Sequence, residues 1–209
     1  MILFDLDGTL TDSQKGITGS IQYALEKFGI PAPDQSELVK FIGPPLKESF
    51  EEHYQVDGAL AVKYYRERFV DQKAMLENEV YPGVIETLAA LKASGKTLAV
   101  ATAKPTVYSR IILEHFELWP YFSDLQGSEL DMTLTEKSDV IRVLLGRWPQ
   151  VKKENITMVG DRGHDMIGAK ENGIRGIGVT YGYGSRKELE ETGASEIVST
   201  AQELIPILI

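Results

Sequence analysis

The chain has 209 residues, of which 43% are hydrophobic and 25% are charged, and its formal net charge at pH 7 is −9. This composition is ordinary for a globular protein and excludes the disordered and fibrous classes. An acidic surface repels the nucleic acid backbone and anionic membranes, so we expect neither as a partner. The sequence contains no cysteine, which excludes disulfides, thiolate zinc sites and a cysteine nucleophile.

The N-terminal apolar run, residues 1–4, is too short for a signal peptide. No run approaches the roughly 20 apolar residues that a membrane span needs. We therefore expect a cytoplasmic protein, either a monomer or a homodimer. The length suits one generous domain, or a core domain with a small accessory domain.

Short apolar runs alternate with segments of helical periodicity along most of the chain. The runs predict buried strands at residues 2–4, 97–101, 123–126, 156–159 and 174–179. The periodic segments predict helices at residues 84–91, 105–116, 137–145 and 166–172. Alternation of this kind predicts a doubly wound, parallel-sheet α/β core of the Rossmann-like type.

One interval, residues 13–79, interrupts this alternation. Apolar residues at helical spacing predict a helix over residues 17–28, closed by Gly29, and a longer helix over residues 60–76. No convincing strand lies between them. We therefore expect a small helical domain, residues 13–79, inserted after the first strand of a core domain formed by residues 1–12 and 80–209.

Two acids, Asp5 and Asp7, directly follow the first predicted strand. Residues i and i+2 of an extended chain point to the same side, so both carboxylates can face one ligand. Open α/β sheets bind their ligands at the carboxyl ends of the strands. Crowded carboxylates repel each other unless a cation is bound, so this pair predicts a cation-assisted site rather than an acidic loop.

A second pair of acids, Asp161 and Asp165, follows the predicted strand at residues 156–159. Asp165 stands where a helix begins, so a simple capping role is the alternative. Together with Asp5 and Asp7, the pair makes an all-oxygen cluster, which is the ligand set that Mg²⁺ prefers. His164 lies inside this motif, and we interpret it as structural.

Two further positions suit an anion. Thr102 follows the predicted strand at residues 97–101 and precedes a helix, and a helix N-terminus with a hydroxyl can bind phosphate. An ordinary helix cap is the alternative for Thr102. Lys137 lies in the first turn of a predicted helix, where it opposes the helix dipole unless an anion binds nearby. A solvated surface charge is the alternative for Lys137.

These motifs occur in one order along the chain: Asp5-x-Asp7-Gly8-Thr9, Thr102, Lys137 and Gly160-Asp161-x-x-x-Asp165. The set resembles the haloacid dehalogenase-like phosphatase superfamily. The helical insertion after the first strand, and the closing residues 178–185, are similar to its phosphoglycolate phosphatase-like branch. The resemblance extends over the whole chain.

The resemblance implies a Mg²⁺-dependent phosphatase that hydrolyses a small phosphorylated metabolite through an aspartyl-phosphate, with a phosphoglycolate-like monoester as the first choice. It implies that Asp5 is the nucleophile and that Asp7 is the general acid and base. The substrate phosphate would bind Gly8, Thr102, Ala103 and Lys137, and Mg²⁺ would bind Asp5, Asp7, Asp161 and Asp165.

In such proteins the inserted domain is a mobile cap whose loop sets specificity, which here points to Gly43, Pro44 and Lys47. A plain helix–helix turn is the alternative for this loop. Gly16 and residues 80–83 would be the hinges, or ordinary boundary residues. A phosphomutase of the same superfamily, a nucleotidase or pyrophosphatase, and a non-enzymatic regulatory protein are the alternative functions.

Overall fold

The computed structural model describes residues 1–131 and 133–209, which divide into two compact units. The first unit comprises residues 1–11 and 80–209, and the second comprises residues 12–79. The described strands are β1 (Ile2–Phe4), β2 (Thr11–Asp12), β3 (Glu79–Val80), β4 (Leu98–Pro105), β5 (Asp124–Ser128), β6 (Thr157–Gly160), β7 (Arg175–Val179) and β8 (Glu196–Val198).

The described α-helices are α1 (Gln14–Lys27), α2 (Leu46–Tyr54), α3 (Gly58–Arg66), α4 (Val84–Ala93), α5 (Thr106–His115), α6 (Lys137–Gly146), α7 (Gly163–Glu171), α8 (Arg186–Thr192) and α9 (Leu204–Leu208). Helices α4 to α9 alternate with the strands of the first unit. Helices α1 to α3 belong to the second unit.

The first unit is built on a six-stranded sheet in the order β5-β4-β1-β6-β7-β8. Every pairing between its neighbouring strands is parallel. β1 therefore lies in the middle, with Leu3 paired to Ala99 on one side and to Met158 on the other. The predicted parallel α/β core of the Rossmann-like type is confirmed.

Central strands of this sheet are buried on both faces, as their continuous apolar runs predict. Leu3 and Ala99 are fully buried, and they pack in one apolar cluster with Val140 and Ile141 of α6 and with Met158 of β6. This packing fixes the carboxyl ends of β1, β4 and β6 at one edge of the sheet. The acids that follow β1 and β6 are placed by the same packing.

Strand β8 was not predicted from the sequence. It has three residues, and Glu196 at its start is exposed, so it lacks the apolar run of the central strands. An edge strand needs only one neighbour, and β8 pairs with β7 through Ile177 and Glu196. Its sequence signal is correspondingly weak.

The second unit contains α1, α2 and α3 together with shorter turns. The predicted single helix over residues 60–76 is wrong, because α3 ends at Arg66 and continues as a π turn at Glu67–Asp71. Lys73 then adopts a left-handed φ of +60°, which ends the helical run. In this part of the unit, the Arg68 guanidinium donates hydrogen bonds to Ser20 Oγ and to the Glu77 carboxylate.

Candidate active site

Asp5 and Asp7 lie just beyond β1, at the carboxyl end of the central strand. The Asp5 carboxylate is buried, and its Oδ1 accepts a hydrogen bond of 2.7 Å from the backbone N–H of Leu6. The turn that follows needs Gly8, whose φ is +82°. A Cβ on Gly8 would lie 2.2 Å from Asp161 Oδ2, so only glycine lets the two motifs approach this closely.

Lys137, at the start of α6, is buried and joins two of the four acids. Its Nζ lies 2.7 Å from Asp5 Oδ1 and 2.8 Å from Asp165 Oδ1, and it donates a third bond of 3.0 Å to the Ala101 carbonyl. Burial alone would lower the pKa of Lys137, but the two carboxylates outweigh it and raise that pKa. The surface-charge alternative for Lys137 is therefore excluded by its burial.

The same ion pair controls the charge of Asp5. Burial would raise the pKa of the Asp5 carboxyl, but the charge and hydrogen bond of Lys137 hold that pKa below its ordinary value. Asp5 is therefore a carboxylate at neutral pH. Leu6 and Lys137 both donate to Oδ1, and Thr102 also hydrogen-bonds to the carboxylate, so the orientation of the group is fixed.

Asp161 follows β6 and is completely buried. Its Oδ2 accepts a hydrogen bond of 2.7 Å from the backbone N–H of Tyr183, and its Oδ1 accepts one of 3.3 Å from Thr9 Oγ1. Burial, and then the charges of Asp165 and Asp5, raise the pKa of Asp161 well above its ordinary value. The Tyr183 hydrogen bond and the charge of Arg162 offset this rise only in part.

Asp165 caps a helix and also makes a second contact. Its Oδ2 accepts a hydrogen bond of 3.1 Å from the backbone N–H of Arg162, as a residue of the first turn of α7 does in a capping box. Its Oδ1 pairs with Lys137 at 2.8 Å. Capping therefore accounts for one of its two oxygens.

The acids fit a hard divalent cation. Within the described residues, Asp5, His164 and Asp165 each offer a ligand atom, and these atoms lie within 4.8 Å of one another. Asp161 and Asp7 are not members of this group. The pKa of Asp161 is raised by burial and then by the charges of Asp165 and Asp5, and a nearby cation would oppose that rise. Carboxylate oxygens are the ligands that Mg²⁺ prefers.

His164 lies beside these acids, and its side chain is half-buried. Its Nε2 is buried, lies 3.7 Å from Asp165 Oδ1, and has no hydrogen-bond partner among the residues the structure describes. Burial lowers the pKa of the imidazole, so His164 is neutral at pH 7.

Thr102 is buried in β4, where the strand departs from regular pairing. Its Oγ1 accepts a hydrogen bond of 3.3 Å from the Lys104 backbone N–H, and the Ala103 carbonyl accepts one of 2.8 Å from Ser128 Oγ. Helix α5 begins after Pro105 with no side-chain cap, so the simple capping alternative for Thr102 is wrong.

Two residues with clear roles at this edge of the sheet were not predicted. Lys104 Nζ lies 3.0 Å from Asp7 Oδ2 in a buried ion pair. Glu188 Oε1 accepts hydrogen bonds from the Gly163 N–H at 2.7 Å and from Arg162 Nε at 3.0 Å, which fixes the start of α7. The position of Lys104, two residues after Thr102, could have indicated its role. No sequence pattern indicated a role for Glu188.

The predicted specificity residues Gly43, Pro44 and Lys47 lie in the second unit, between a 3₁₀ helix at Gln35–Phe41 and the first turn of α2. Gly43 has a φ of +109°, and the Lys47 ammonium lies 3.9 Å from Glu51 on the exposed side of α2. This segment therefore has the geometry of a tight connection that starts a helix.

Comparison with known proteins agrees with this arrangement. Residues 2–179 match the haloacid dehalogenase-like hydrolase family. A protein named 5'-nucleotidase from Pseudomonas aeruginosa is 49% identical over 191 residues, which cover 90% of this chain and 86% of that protein. One named phosphoglycolate phosphatase 1, from the same bacterium, is 30% identical over 219 residues, with coverage of 99% and 78%.

A solved structure described as a predicted phosphatase from Clostridium acetobutylicum superposes with a TM-score of 0.94 and is 50% identical, covering 99% of this chain and 96% of that one. The fold, the acids and the relatives define an enzyme, a phosphoric monoester hydrolase. The chain belongs to the haloacid dehalogenase-like hydrolase family, and the predicted likeness to its phosphoglycolate phosphatase-like branch is confirmed. Across the described residues, no helix is long and apolar enough to cross a membrane.

Proposed function

We propose that the chain is a Mg²⁺-dependent phosphatase that hydrolyses a small phosphate monoester through a phosphorylated Asp5. The observation that carries this proposal is the Asp5 carboxylate, held ionised and oriented at the carboxyl end of β1 by Lys137 at 2.7 Å. A nucleophilic carboxylate must be ionised and fixed in direction, and both conditions are supported here. Lys137 also supplies positive charge for the transferred phosphoryl group.

In the first step, an Asp5 oxygen attacks phosphorus and the bond from phosphorus to the ester oxygen breaks. Asp7 donates a proton to that leaving oxygen, so the alcohol departs neutral. In the second step, a water molecule attacks the same phosphorus while Asp7 removes its proton. Inorganic phosphate leaves, and Asp5 returns to a carboxylate.

Thr102 and the backbone of Ala103 are proposed to bind phosphoryl oxygens. Gly8 is proposed to let the phosphate approach closely rather than to donate to it, since its own N–H donates to the Thr11 carbonyl at 2.8 Å. The carboxylates of Asp5 and Asp161 and the backbone carbonyl of Asp7 are proposed to hold the metal ion, with Asp165 as a further ligand, directly or through water. When bound, Mg²⁺ neutralises the repulsion between the carboxylates and an incoming phosphate. This charge compensation reconciles an anionic substrate with a protein of net charge −9.

The second unit is proposed to be a cap that shields the site from water and selects the substrate. We propose that Gly43, Pro44 and Lys47 determine substrate specificity. Among the small monoesters, the relative named 5'-nucleotidase is 49% identical, whereas the one named phosphoglycolate phosphatase 1 is 30% identical. This difference favours a nucleoside 5'-monophosphate as the substrate, with phosphoglycolate second.

A panel of phosphate esters tests this proposal. Phosphate release is measured for nucleoside 5'-monophosphates, phosphoglycolate, sugar phosphates and pyrophosphate, with Mg²⁺ and with a chelator. We expect release that needs Mg²⁺, prefers one nucleoside monophosphate, and falls at least about 10³-fold in Asp5→Asn because the nucleophile is lost. Borohydride reduction of the phosphorylated wild-type enzyme, followed by peptide mass spectrometry, is expected to mark Asp5.

Asp139→Asn, an exposed acid on α6 outside the site, is the matched control and should retain full activity. Wild-type activity in Asp5→Asn would contradict the mechanism. Unchanged release in the chelator would contradict the metal requirement. A strong preference for phosphoglycolate would correct the substrate while leaving the mechanism in place.

A further inference from the structure

Lys104 and Asp7 form an ion pair that is largely removed from solvent. The Nζ–Oδ2 distance is 3.0 Å, and the side chains are 6% and 13% exposed. By contrast, the side chains of Lys152 and Glu154, 3.8 Å apart, are 76% and 74% exposed. An exposed pair of that kind contributes almost nothing, whereas a buried pair constrains both of its members.

An irregularity in β4 places Lys104 at this point. Ala101 pairs with Gln126 and Pro105 pairs with Ser128, so three residues of β4 stand opposite Gly127 alone. Two extra residues in one strand bend it and re-aim its side chains. The Lys104 carbonyl lies 2.2 Å from where a Cβ of Gly127 would be, so the bulge depends on glycine in the neighbouring strand.

Lys104 and Lys137 pair with three of the four acids. Lys137 pairs with Asp5 and Asp165, and Lys104 pairs with Asp7. Asp7 Oδ2 is held by Lys104, while Oδ1 is buried and has no hydrogen-bond partner among the described residues. A buried carboxylate oxygen without a partner is costly unless a reacting group uses it.

We propose that Lys104 is a positioning residue: it holds Asp7 by Oδ2 and leaves Oδ1 to exchange the proton with the leaving group and then with water. The inference rests on the proposed function, because it assigns Asp7 the proton transfers. The proton passes from Asp7 Oδ1 to the ester oxygen as the bond to phosphorus breaks, and water later returns one. Lys104 itself gains and loses no proton.

A positioning role for Lys104 predicts that the effect of its substitution depends on the leaving group of the ester, whereas a role in substrate binding does not. An alkyl phosphate needs a proton on its leaving oxygen, whereas p-nitrophenyl phosphate releases a stable anion and needs none. For Lys104→Met we expect kcat/KM to fall about 10²-fold with adenosine 5'-monophosphate or phosphoglycolate, which is the usual size of an acid–base contribution. With p-nitrophenyl phosphate we expect a fall of less than about threefold, because that reaction makes no use of Asp7 as an acid.

Three companion variants complete the test. Lys104→Arg keeps the positive charge and should retain most of the activity on alkyl esters. If Lys104→Met does not fold, Lys104→Arg is the variant that is compared with the wild type. Lys152→Met removes a surface lysine and should leave both substrates unchanged. In an Asp7→Asn background, Lys104→Met should add no further loss, since the group that it positions is already disabled.

The outcomes are distinct. An equal loss for both esters, with a raised KM, would show that Lys104 binds substrate and would overturn the inference. An additional loss in the Asp7→Asn background, or no loss in Lys104→Met, would also overturn it. Full alkyl ester activity in Asp7→Asn would instead refute the proposed function, whatever Lys104→Met does.

Discussion

Asp161 illustrates the conflict between stability and function at a single residue. Its buried carboxylate accepts hydrogen bonds from Thr9 and Tyr183, yet Asp165 and Asp5 add negative charge to the same region. Buried charge without a counter-ion destabilises a fold by several kcal/mol. A residue kept in this position serves the site at the expense of the metal-free protein.

We therefore expect Asp161→Asn to stabilise the metal-free fold by about 1–3 kcal/mol at neutral pH, because it removes a buried charge that Asp165 and Asp5 disfavour. The amide oxygen can still accept from the Tyr183 N–H, and the amide nitrogen can donate to Thr9 Oγ1. Urea denaturation in a chelator measures the change. The variant should lose the stabilisation by Mg²⁺ that the wild type gains, and a less stable variant would contradict this account.

The same explanation predicts how the free energy of unfolding changes with pH. A carboxyl whose pKa is raised in the folded state binds its proton more tightly there than in the unfolded chain. Its contribution to stability is therefore present below the ordinary carboxyl pKa and is lost as pH rises through the raised value. In a chelator, wild-type stability should fall more over this range than that of Asp161→Asn.

At the scale of the elements, the backbone geometry of β4 determines where two side chains of the candidate site lie. Its bulge depends on the absence of a side chain at Gly127, whose Cβ would lie 2.2 Å from the Lys104 carbonyl and 2.8 Å from the Thr106 nitrogen. The Gly127 N–H also donates to Thr106 Oγ1 at 2.9 Å. Thr102 and Lys104 both lie within the bulged stretch.

Gly127→Ala should destabilise the protein by about 1–3 kcal/mol, because the backbone of β4 must move to admit the methyl group. It should also lower kcat/KM for alkyl esters, since Thr102 and Lys104 shift with the strand. Gly146→Ala is the matched control, because a Cβ there meets no atom within 4 Å and alanine favours the end of α6. Equal stability and activity for the two variants would exclude the proposed dependence of the bulge.

The sequence predicts elements well where the signal is local and poorly where it comes from a distant partner. Asp5, Asp161 and Lys137 were found because each directly follows a strand or begins a helix. Lys104 was missed because its direction depends on Gly127 in the neighbouring strand, which no local pattern reveals. The break after Arg66 was missed for a related reason: apolar residues continue at roughly helical spacing, while the backbone widens and then turns at Lys73.

At the scale of the whole molecule, the chain leaves and re-enters the first unit at neighbouring positions. The Tyr81 N–H donates to the Leu10 carbonyl at 3.1 Å, and β2 pairs with β3. Paired strands lie about 5 Å apart, a gap that a short turn can span. The first unit also holds all six strands of the large sheet.

We expect a chain in which residues 13–78 are replaced by a Gly-Asn-Gly turn to fold cooperatively as the first unit alone. If residues 12–79 act as a cap, the shortened enzyme should keep hydrolysing p-nitrophenyl phosphate while losing its preference among small metabolites. Circular dichroism melting and the ester panel check the two parts. An unfolded product would show that the core needs the helical unit, and unchanged preference would exclude a selecting role for that unit.

The central place of β1 has a consequence for how the protein is made. Strand β1 leaves the ribosome before both of the strands that flank it in the finished sheet, β4 and β6. Both of its hydrogen-bonding edges stay unpaired until residues 98–105 and then 157–160 have been synthesised. Asp5, the proposed nucleophile, is therefore synthesised well before Asp161 and before the Tyr183 N–H that donates to it. A chain that stops before residue 157 lacks β6, so one edge of β1 stays unpaired and can aggregate. A chain that stops before residue 183 also lacks the Tyr183 N–H that donates to Asp161, so it cannot complete the site.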